Sequence, residues 1–236
     1  MTQYLDRRRL LALAIFSLIV LWDMSGLDLS LAQLAASPAG FPLRDSWFLK
    51  VVLHDDARHL AWLLALVLAA SAVWPWGPLR AVPSARRIQL AGVTIAASGL
   101  IALLKAGNHT SCPWDLAQFG GVASHMSHWA GWTRSDGGGG HCFPAGHAST
   151  GFAFVAGYFA LRHDQPQLAR WWLLAAIALG LILGGAQQLR GAHFMSHTLW
   201  TGWICWLFGW GADLVVSRQV HQLRRARHAR HAQGSR

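Results

Sequence analysis

The sequence predicts an all-α membrane protein, a polytopic bundle of six transmembrane helices. Its 236 residues are 53% hydrophobic and only 13% charged, whereas soluble domains carry about 25% charged residues. The mean hydropathy is +0.30. Many of the 14 tryptophans lie near the ends of apolar runs, as in the interfacial belts of membrane proteins. These observations predict a single domain, residues 1–236, most of which lies in lipid.

Six apolar runs follow one another along the chain and predict the six spans. They cover residues 10–22, 59–76, 88–104, 144–161, 171–189 and 197–216. At 1.5 Å per residue the fourth is about 27 Å long, just enough to cross the hydrocarbon core. Residues 37–58 are expected to form a loop, because prolines, a glycine and several charges interrupt them. The first run, preceded by three arginines, also fits a cleaved signal peptide ending near residue 37, but an uncleaved span is preferred.

The distribution of basic residues predicts which side of the membrane each end occupies. Of the 20 lysines and arginines, 14 fall at the termini and in the even-numbered connections between spans. They are Arg7, Arg8, Arg9, Arg80, Arg86, Arg87, Arg162, Arg170, Arg218, Arg224, Arg225, Arg227, Arg230 and Arg236. This bias predicts that both termini are cytoplasmic, with the basic tail, residues 217–236, on an anionic leaflet. The net charge of +10 therefore reports topology, and no nucleic-acid partner is expected.

The opposite, outer side collects the polar residues that could support chemistry. Nine of the 13 histidines fall there, namely His54, His59, His109, His125, His128, His141, His147, His193 and His197. Lys105 ends the third predicted span and Arg190 follows the fifth. Polar residues at one depth of a helix bundle indicate a functional site. His125 and His128 are expected on an interfacial turn, and His54 in a solvated loop, with a metal or substrate contact as the alternative.

One stretch on this side, residues 137–149, has the pattern of an anion-binding helix start. Four glycines lead to Pro144 and then to an apolar run. The free amides at a helix N-terminus carry a partial positive charge, and His147 in the first turn could give a proton to an anion bound there. A glycine loop that merely enters a membrane helix fits the same pattern. The glycines themselves indicate loop flexibility, with a lid as the alternative.

Two of the three cysteines, Cys112 and Cys142, fall in the same outer loop. In an oxidising compartment they would be free to pair, so a disulfide is expected, with a free pair or a metal site as the alternatives. Cys205 lies inside the sixth predicted span, where a small buried thiol is the simplest interpretation.

Three segments, residues 105–113, 143–147 and 187–197, together resemble the type 2 phosphatidic acid phosphatase (PAP2) superfamily, in its membrane-bound lipid phosphatase branch. The motifs of that family read K-x6-R-P, P-S-G-H and S-R-x5-H-x3-D, and the core of the resemblance covers residues 105–202. The resemblance implies that His193 is the nucleophile, which forms a phosphohistidine, and that His147 is the general acid. It also implies a phosphate-binding role for Lys105 and for the amides of Ala145 and Gly146.

All three motifs depart from the family pattern. Cys112 and Gln187 replace arginines, Ala145 replaces a serine, and His197 replaces the aspartate that orients the nucleophile. Arg190, three residues after Gln187 on nearly the same helix face, is expected to supply the missing guanidinium. Asp115 is expected to orient His193 if the disulfide folds its loop over the site. If no carboxylate reaches His193, slow turnover that fails early as pH falls is expected.

The resulting prediction is a lipid phosphate phosphatase, or a phosphotransferase of the same chemistry, that acts at the outer membrane face without metal or other cofactor. Its expected partners are a lipid phosphate substrate and membrane lipids. Its expected location is a bacterial inner membrane, with the site facing the periplasm. The alternatives are a non-catalytic, histidine-rich metal-binding membrane protein and an inactive scaffold of the same family. Which lipid phosphate is used and the oligomeric state stay open.

Overall fold

The computed structural model describes the backbone of residues 2–234 and the side chains of residues 9–219. Within this part of the chain the fold is all-helical, as predicted, and no β-strand forms. The α-helices are α1 (Thr2–Met24), α2 (Leu27–Ala35), α3 (Ala57–Ser71), α4 (Ser84–Gly107), α5 (Gly146–Phe152), α6 (Ala156–Leu161), α7 (Pro166–Leu189) and α8 (Met195–Gly234). The side chains of Arg7, Arg8 and most of the basic tail lie outside the described residues.

Each of the six predicted spans corresponds to helix, but the structure distinguishes fewer clear membrane spans. Three helices, α4, α7 and the part of α8 up to Gln219, are long and apolar enough to cross a membrane. The bent pair of α1 and α2 makes a fourth if it counts as one span. Helix α3 has only 15 residues, and a 3-10 turn, Ala153–Val155, separates α5 from α6. A typical membrane helix needs about 20 residues, so three or four spans are evident, and the count of six stays a prediction.

The segment before α3 differs from its prediction. Residues 37–58 were expected to be a loop, but Phe48–Asp56 forms a helical segment with π-type hydrogen bonds that runs directly into α3. The prolines and the glycine that suggested a loop are confined to residues 38–42, and the apolar residues from Phe48 onward continue the helix. This helical segment brings His54 to the bundle.

Helices α5 and α7 cross at backbone contact. A Cβ atom on Gly151 would overlap the backbone of Gly180, and one on Gly180 would overlap the ring of Phe152. Small residues at a crossing let two membrane helices approach closely. This crossing fixes the start of α5 relative to the end of α7, which are the two places where His147 and Arg190 lie.

The end of the bundle where α4 and α7 finish and α5 and α8 begin is called the site end below. Residues 108–145 fold over it as an ordered loop with three short 3-10 turns. Asp136 organises this loop, because its carboxylate accepts hydrogen bonds from the backbone and the hydroxyl of Ser111 and from the amide of Gly138. The predicted disulfide between Cys112 and Cys142 is present, with the Cα atoms 5.1 Å apart.

The opposite end of the bundle has a buried charge cluster. Asp213 of α8 pairs with Arg86 of α4 and with Arg162 beyond α6, each at 2.6 Å. Gln89 also donates to Asp213. One carboxylate on the last helix thus joins three parts of the chain.

Candidate active site

The polar residues predicted for the site come together at the site end. Lys105 lies in the last turn of α4 and His147 in the first turn of α5. His193 lies between α7 and α8, and His197 in the first turn of α8. The charge of Lys105 acts on His193, and a Cβ atom on Gly146 would lie 3.7 Å from the Lys105 Nζ atom. The Lys105 side chain therefore lies beside the start of α5.

His193 is almost completely buried, with 2% of its surface exposed. Its Nδ1 atom lies 3.4 Å from the Sγ atom of Cys142, and the same sulfur lies 3.0 Å from the carbonyl oxygen of Ala192. Burial lowers the pKa of His193 well below its usual value, and the nearby charge of Lys105 lowers it further. The imidazole is therefore neutral near pH 7, as a nitrogen nucleophile must be.

His147 stacks on His54, with the ring centroids 3.6 Å apart. The expectation that His54 lies in a solvated loop was wrong, because the helical segment before α3 places it against α5. Burial lowers the pKa of His54, and the hydrogen bond from its Nδ1 atom to the Asp55 carboxylate, 2.8 Å away, partly offsets this. The charges of Arg190 and Arg58 lower it as well.

A cavity of about 250 Å³ opens beside Lys105 and His147. Arg58, Lys105, Gly146 and His147 line its polar end, and no carboxylate occurs among the described residues of its wall. It continues between α3, α4 and α5 along side chains that are mostly apolar, namely Ala61, Trp62, Ala65, Ile95, Ile101, Ala102 and Phe154. From Lys105 to Thr94 it extends about 16 Å along α4 at 1.5 Å per residue.

Few side chains among the described residues are grouped in a way that could bind a metal ion. Among the described residues, the one set of three candidate ligands that lie close together is Cys112, Cys142 and His193. Its two sulfurs are joined as a disulfide and so cannot bind a metal as thiolates.

Comparison with families of known proteins matches residues 87–224 to the model of the PAP2 superfamily. The match covers more than half of the chain and includes all three segments described above. The chain belongs to the PAP2 superfamily. No match was found among curated proteins or among solved structures.

The departures from the PAP2 motifs can now be located in three dimensions. Arg190 donates from Nη1 to the side-chain oxygen of Gln187, 3.1 Å away, so the two residues share one helix face as predicted. Its Nε atom donates to the carbonyl oxygen of Arg44 at 2.8 Å. The guanidinium is therefore held at the site end, where its charge acts on His54.

Two expected PAP2 contacts take a different form. No hydrogen bond joins Asp115 to His193 within residues 9–219; its carboxylate accepts instead from the indole of Trp114, at 3.0 Å. The backbone of Trp114 donates to Gly191, so the loop does fold over the site, but the carboxylate turns toward its neighbour. The amide of Ala145 donates to the carbonyl oxygen of His197 at 3.4 Å. A phosphate contact at the start of α5 would therefore fall to the amide of Gly146.

The residue in the position of the PAP2 aspartate, His197, has surroundings that the sequence did not reveal. The ring centroid of His128 lies 5.3 Å away, and the Nε2 atom of His128 lies 3.3 Å from Asp23 of α1. His128 lies on a turn, as expected, but its side chain is buried, with 8% of the residue exposed, and stacks on Phe143. In the sequence, Asp23 directly follows the first apolar run, residues 10–22. The sequence signal for this contact was a carboxylate at the end of a predicted span, on the same side as a histidine-rich loop.

Proposed function

We propose that the protein is an integral-membrane phosphatase or phosphotransferase that acts on a lipid phosphate through a phosphohistidine. The observation that carries this proposal is the cavity beside Lys105 and His147. Its polar end has cationic side chains, and its remaining wall is mostly apolar over about 16 Å of α4. A lipid phosphate would match this cavity, with its phosphate group at the polar end and its hydrocarbon chain along the apolar wall.

The cations at the site end suit a phosphate group. Lys105 and Arg58 line the cavity, and Arg190 lies near the stacked histidines. A guanidinium can bind two phosphate oxygens at once, and an ammonium adds a compact charge. Such charges stabilise the phosphoryl group most when its negative charge increases in the transition state.

The proposed reaction uses the two histidines in sequence. The Nδ1 atom of His193 faces Cys142, which leaves Nε2 to attack phosphorus as the bond from phosphorus to the lipid oxygen breaks. His147 gives its proton to that oxygen. Water, or another hydroxyl acceptor, then attacks phosphorus and breaks the P–N bond, and His147 takes the proton of the acceptor. The phosphate dianion favours a protonated His147 at the start of this cycle.

We also propose six spans, cytoplasmic termini and a site that faces the periplasm of a bacterial inner membrane. The arginine distribution supports the orientation. The Cys112–Cys142 disulfide supports an oxidising compartment at the site end.

Purified protein in detergent, supplied with a panel of lipid phosphates in EDTA, tests the proposed activity. The panel contains phosphatidic acid, phosphatidylglycerol phosphate, a polyprenyl pyrophosphate and a lipid A phosphate, and inorganic phosphate release is the readout. Wild-type protein should release phosphate from at least one lipid, His193→Ala should not, and His163→Ala, between α6 and α7, should match wild type. An acid-labile phosphoenzyme trapped at His193 is also expected.

Turnover that requires added metal would favour the metal-binding alternative. Absence of turnover on the whole panel would favour an inactive scaffold. A phosphohistidine trapped at any other residue would contradict the assignment of the nucleophile.

A further inference from the structure

A second cavity, of about 530 Å³, lies between α1, α2, the start of α8 and the loop of residues 108–145. One face of α1 lines it with Phe16, Val20 and Asp23, which are four and three residues apart and so point the same way. Phe16 and Val20 lie farther from the end of α1, and the Asp23 carboxylate lies at that end. The cavity is therefore apolar at one end and anionic at the other.

The charge of this cavity is opposite to that of the first. Asp23 and Asp28, on the two sides of the 68° bend between α1 and α2, both line it. Among the described residues of its wall there is no lysine or arginine. Its three histidines are His125, His128 and His197. The described part of the wall therefore offers no lysine or arginine to a phosphate monoester, which suits the cations around Lys105.

Asp23 is fixed in place but keeps one acceptor atom free. Its Oδ2 atom accepts from the indoles of Trp129, at 3.0 Å, and Trp200, at 2.8 Å, and the Nε2 atom of His128 lies 3.3 Å from it. Its Oδ1 atom is buried and has no hydrogen-bond partner in the described part of the chain. The Nδ1 atom of His197, a residue that is 1% exposed and lines the same cavity, is likewise without a partner there. Buried polar atoms without partners cost free energy and indicate a missing hydrogen-bond partner, which for a carboxylate oxygen is a donor.

We propose that the second cavity binds the ammonium head group of a lipid, with Asp23 as its hydrogen-bond acceptor and the hydrocarbon against Phe16 and Val20. An ammonium group has three donors and no acceptor, so it can donate to the free Oδ1 atom of Asp23 and place a positive charge beside the carboxylate. The apolar end of the cavity favours an ethanolamine lipid over a soluble amine, because only the lipid fills both halves. This binding does not depend on the proposed phosphatase activity.

Native mass spectrometry of the full chain tests the proposal. The protein in detergent is given phosphatidylethanolamine, its N-acetyl derivative and phosphatidylglycerol, all with identical acyl chains. Asp23→Asn should lower retention of phosphatidylethanolamine by about tenfold, the factor expected for loss of one charged hydrogen bond. It should leave retention of the other two lipids unchanged. The matched control is Asp45→Asn, which removes an exposed carboxylate that pairs with Lys50 and should change none of the three.

A second variant covers the case in which Asp23→Asn disturbs the two tryptophans. Val20→Trp keeps both carboxylates but fills the apolar end, and it should also lower retention of phosphatidylethanolamine. Retention of phosphatidylethanolamine that survives Asp23→Asn would overturn the proposal, as would an equal loss of all three lipids in Asp23→Asn with unchanged retention in Val20→Trp. Asp23-dependent binding of ethanolamine or putrescine without binding of the lipid would overturn the choice of a lipid.

Discussion

At the residue scale, the surroundings of His193 differ from those implied by the PAP2 resemblance. The resemblance places a carboxylate beside the nucleophile, but here the nearest side-chain contact of Nδ1 is the Cys142 sulfur, at 3.4 Å. A disulfide sulfur is a weak acceptor and carries no charge. It can favour the tautomer with hydrogen on Nδ1, but it cannot balance the positive charge that forms on the imidazole. The disulfide thus contributes to the site as well as to the loop.

The effect of the Cys142 sulfur on turnover can be distinguished from the effect of the cross-link by comparing two variants. Cys112→Ala and Cys142→Ala both remove the disulfide, but only the second removes the sulfur beside His193. Turnover of Cys142→Ala should therefore fall below that of Cys112→Ala by a further factor of about ten, as for other partners that orient a functional histidine. The two rates are measured on the same lipid phosphate at equal folded fraction. Equal rates would show that the sulfur has no orienting role.

Arg190 should contribute more to turnover than Gln187. Arg190→Ala removes a guanidinium at the site end, whereas Gln187→Ala removes only a side chain that accepts a hydrogen bond from it. We expect a loss in kcat/KM of about tenfold to a hundredfold for Arg190→Ala, since a hydrogen bond to a charged group contributes about 1.5–3 kcal/mol, and a smaller loss for Gln187→Ala. Arg190→Lys keeps the charge but not the planar guanidinium that can bind two oxygens at once. Its loss in kcat/KM should lie between those of the two alanine variants. The reverse order would contradict the substitution of Arg190 for the family arginine.

The pH dependence of turnover should reflect the burial of His193. The nucleophile acts as neutral imidazole, and burial lowers its pKa well below 6.5, so the neutral form persists to lower pH than for an exposed histidine. The acid limb of the kcat/KM profile should therefore have its midpoint below pH 6.5. This is the reverse of the early acid loss expected from the sequence. Lys105, His147 and His197 also face His193, and a midpoint at or above 6.5 would mean that one of the other histidines controls the limb.

At the element scale, Asp213 joins α8 to the rest of the bundle at the end away from the site. Asp213→Ala would leave Arg86 and Arg162 buried without their carboxylate, because their side chains are only 8% and 13% exposed. The free energy of unfolding should fall by about 3–5 kcal/mol, the usual cost of breaking a buried ion pair. Denaturant unfolding in detergent measures it. Asp45→Ala, at an exposed pair, should cause no measurable change, and equal stability of the two variants would contradict the role of the cluster.

At the scale of the whole molecule, the proposed orientation predicts opposite exposure of two connections. Single cysteines are introduced in residues 80–87 and in residues 137–140 of a variant without Cys205. A membrane-impermeant thiol reagent should label the second position in intact cells and the first only after the membrane is opened, because the arginines favour the cytoplasm. Equal labelling of both positions in intact cells would contradict the topology.

The helices and the common depth of Lys105, His147, His193 and His197 could be predicted from sequence because they follow from local patterns. An apolar run sets where a helix ends, and the residue at that end is then known to lie near the membrane surface. The partners of these residues could not be predicted in the same way. The stack of His54 on His147, and the contacts of Asp23 with Trp129 and Trp200, join residues far apart in the chain. Such contacts depend on how helices rotate and cross, which no single run specifies.

The contacts between α1–α2 and α8 have a consequence for how the protein is made. Asp28 accepts from the amide of Ser196 at the start of α8, and Asp23 accepts from Trp200 one turn later. Asp28 and Ser196 are 168 residues apart in the chain, and Asp23 and Trp200 are 177 residues apart. Helices α1 and α2 are therefore synthesised long before α8. Until α8 is inserted, Asp23 and Asp28 stay hydrated at the membrane surface. Completion of the site around His197 is thus tied to the final step of synthesis, and a chain that stops before α8 leaves these two carboxylates without the partners that α8 supplies.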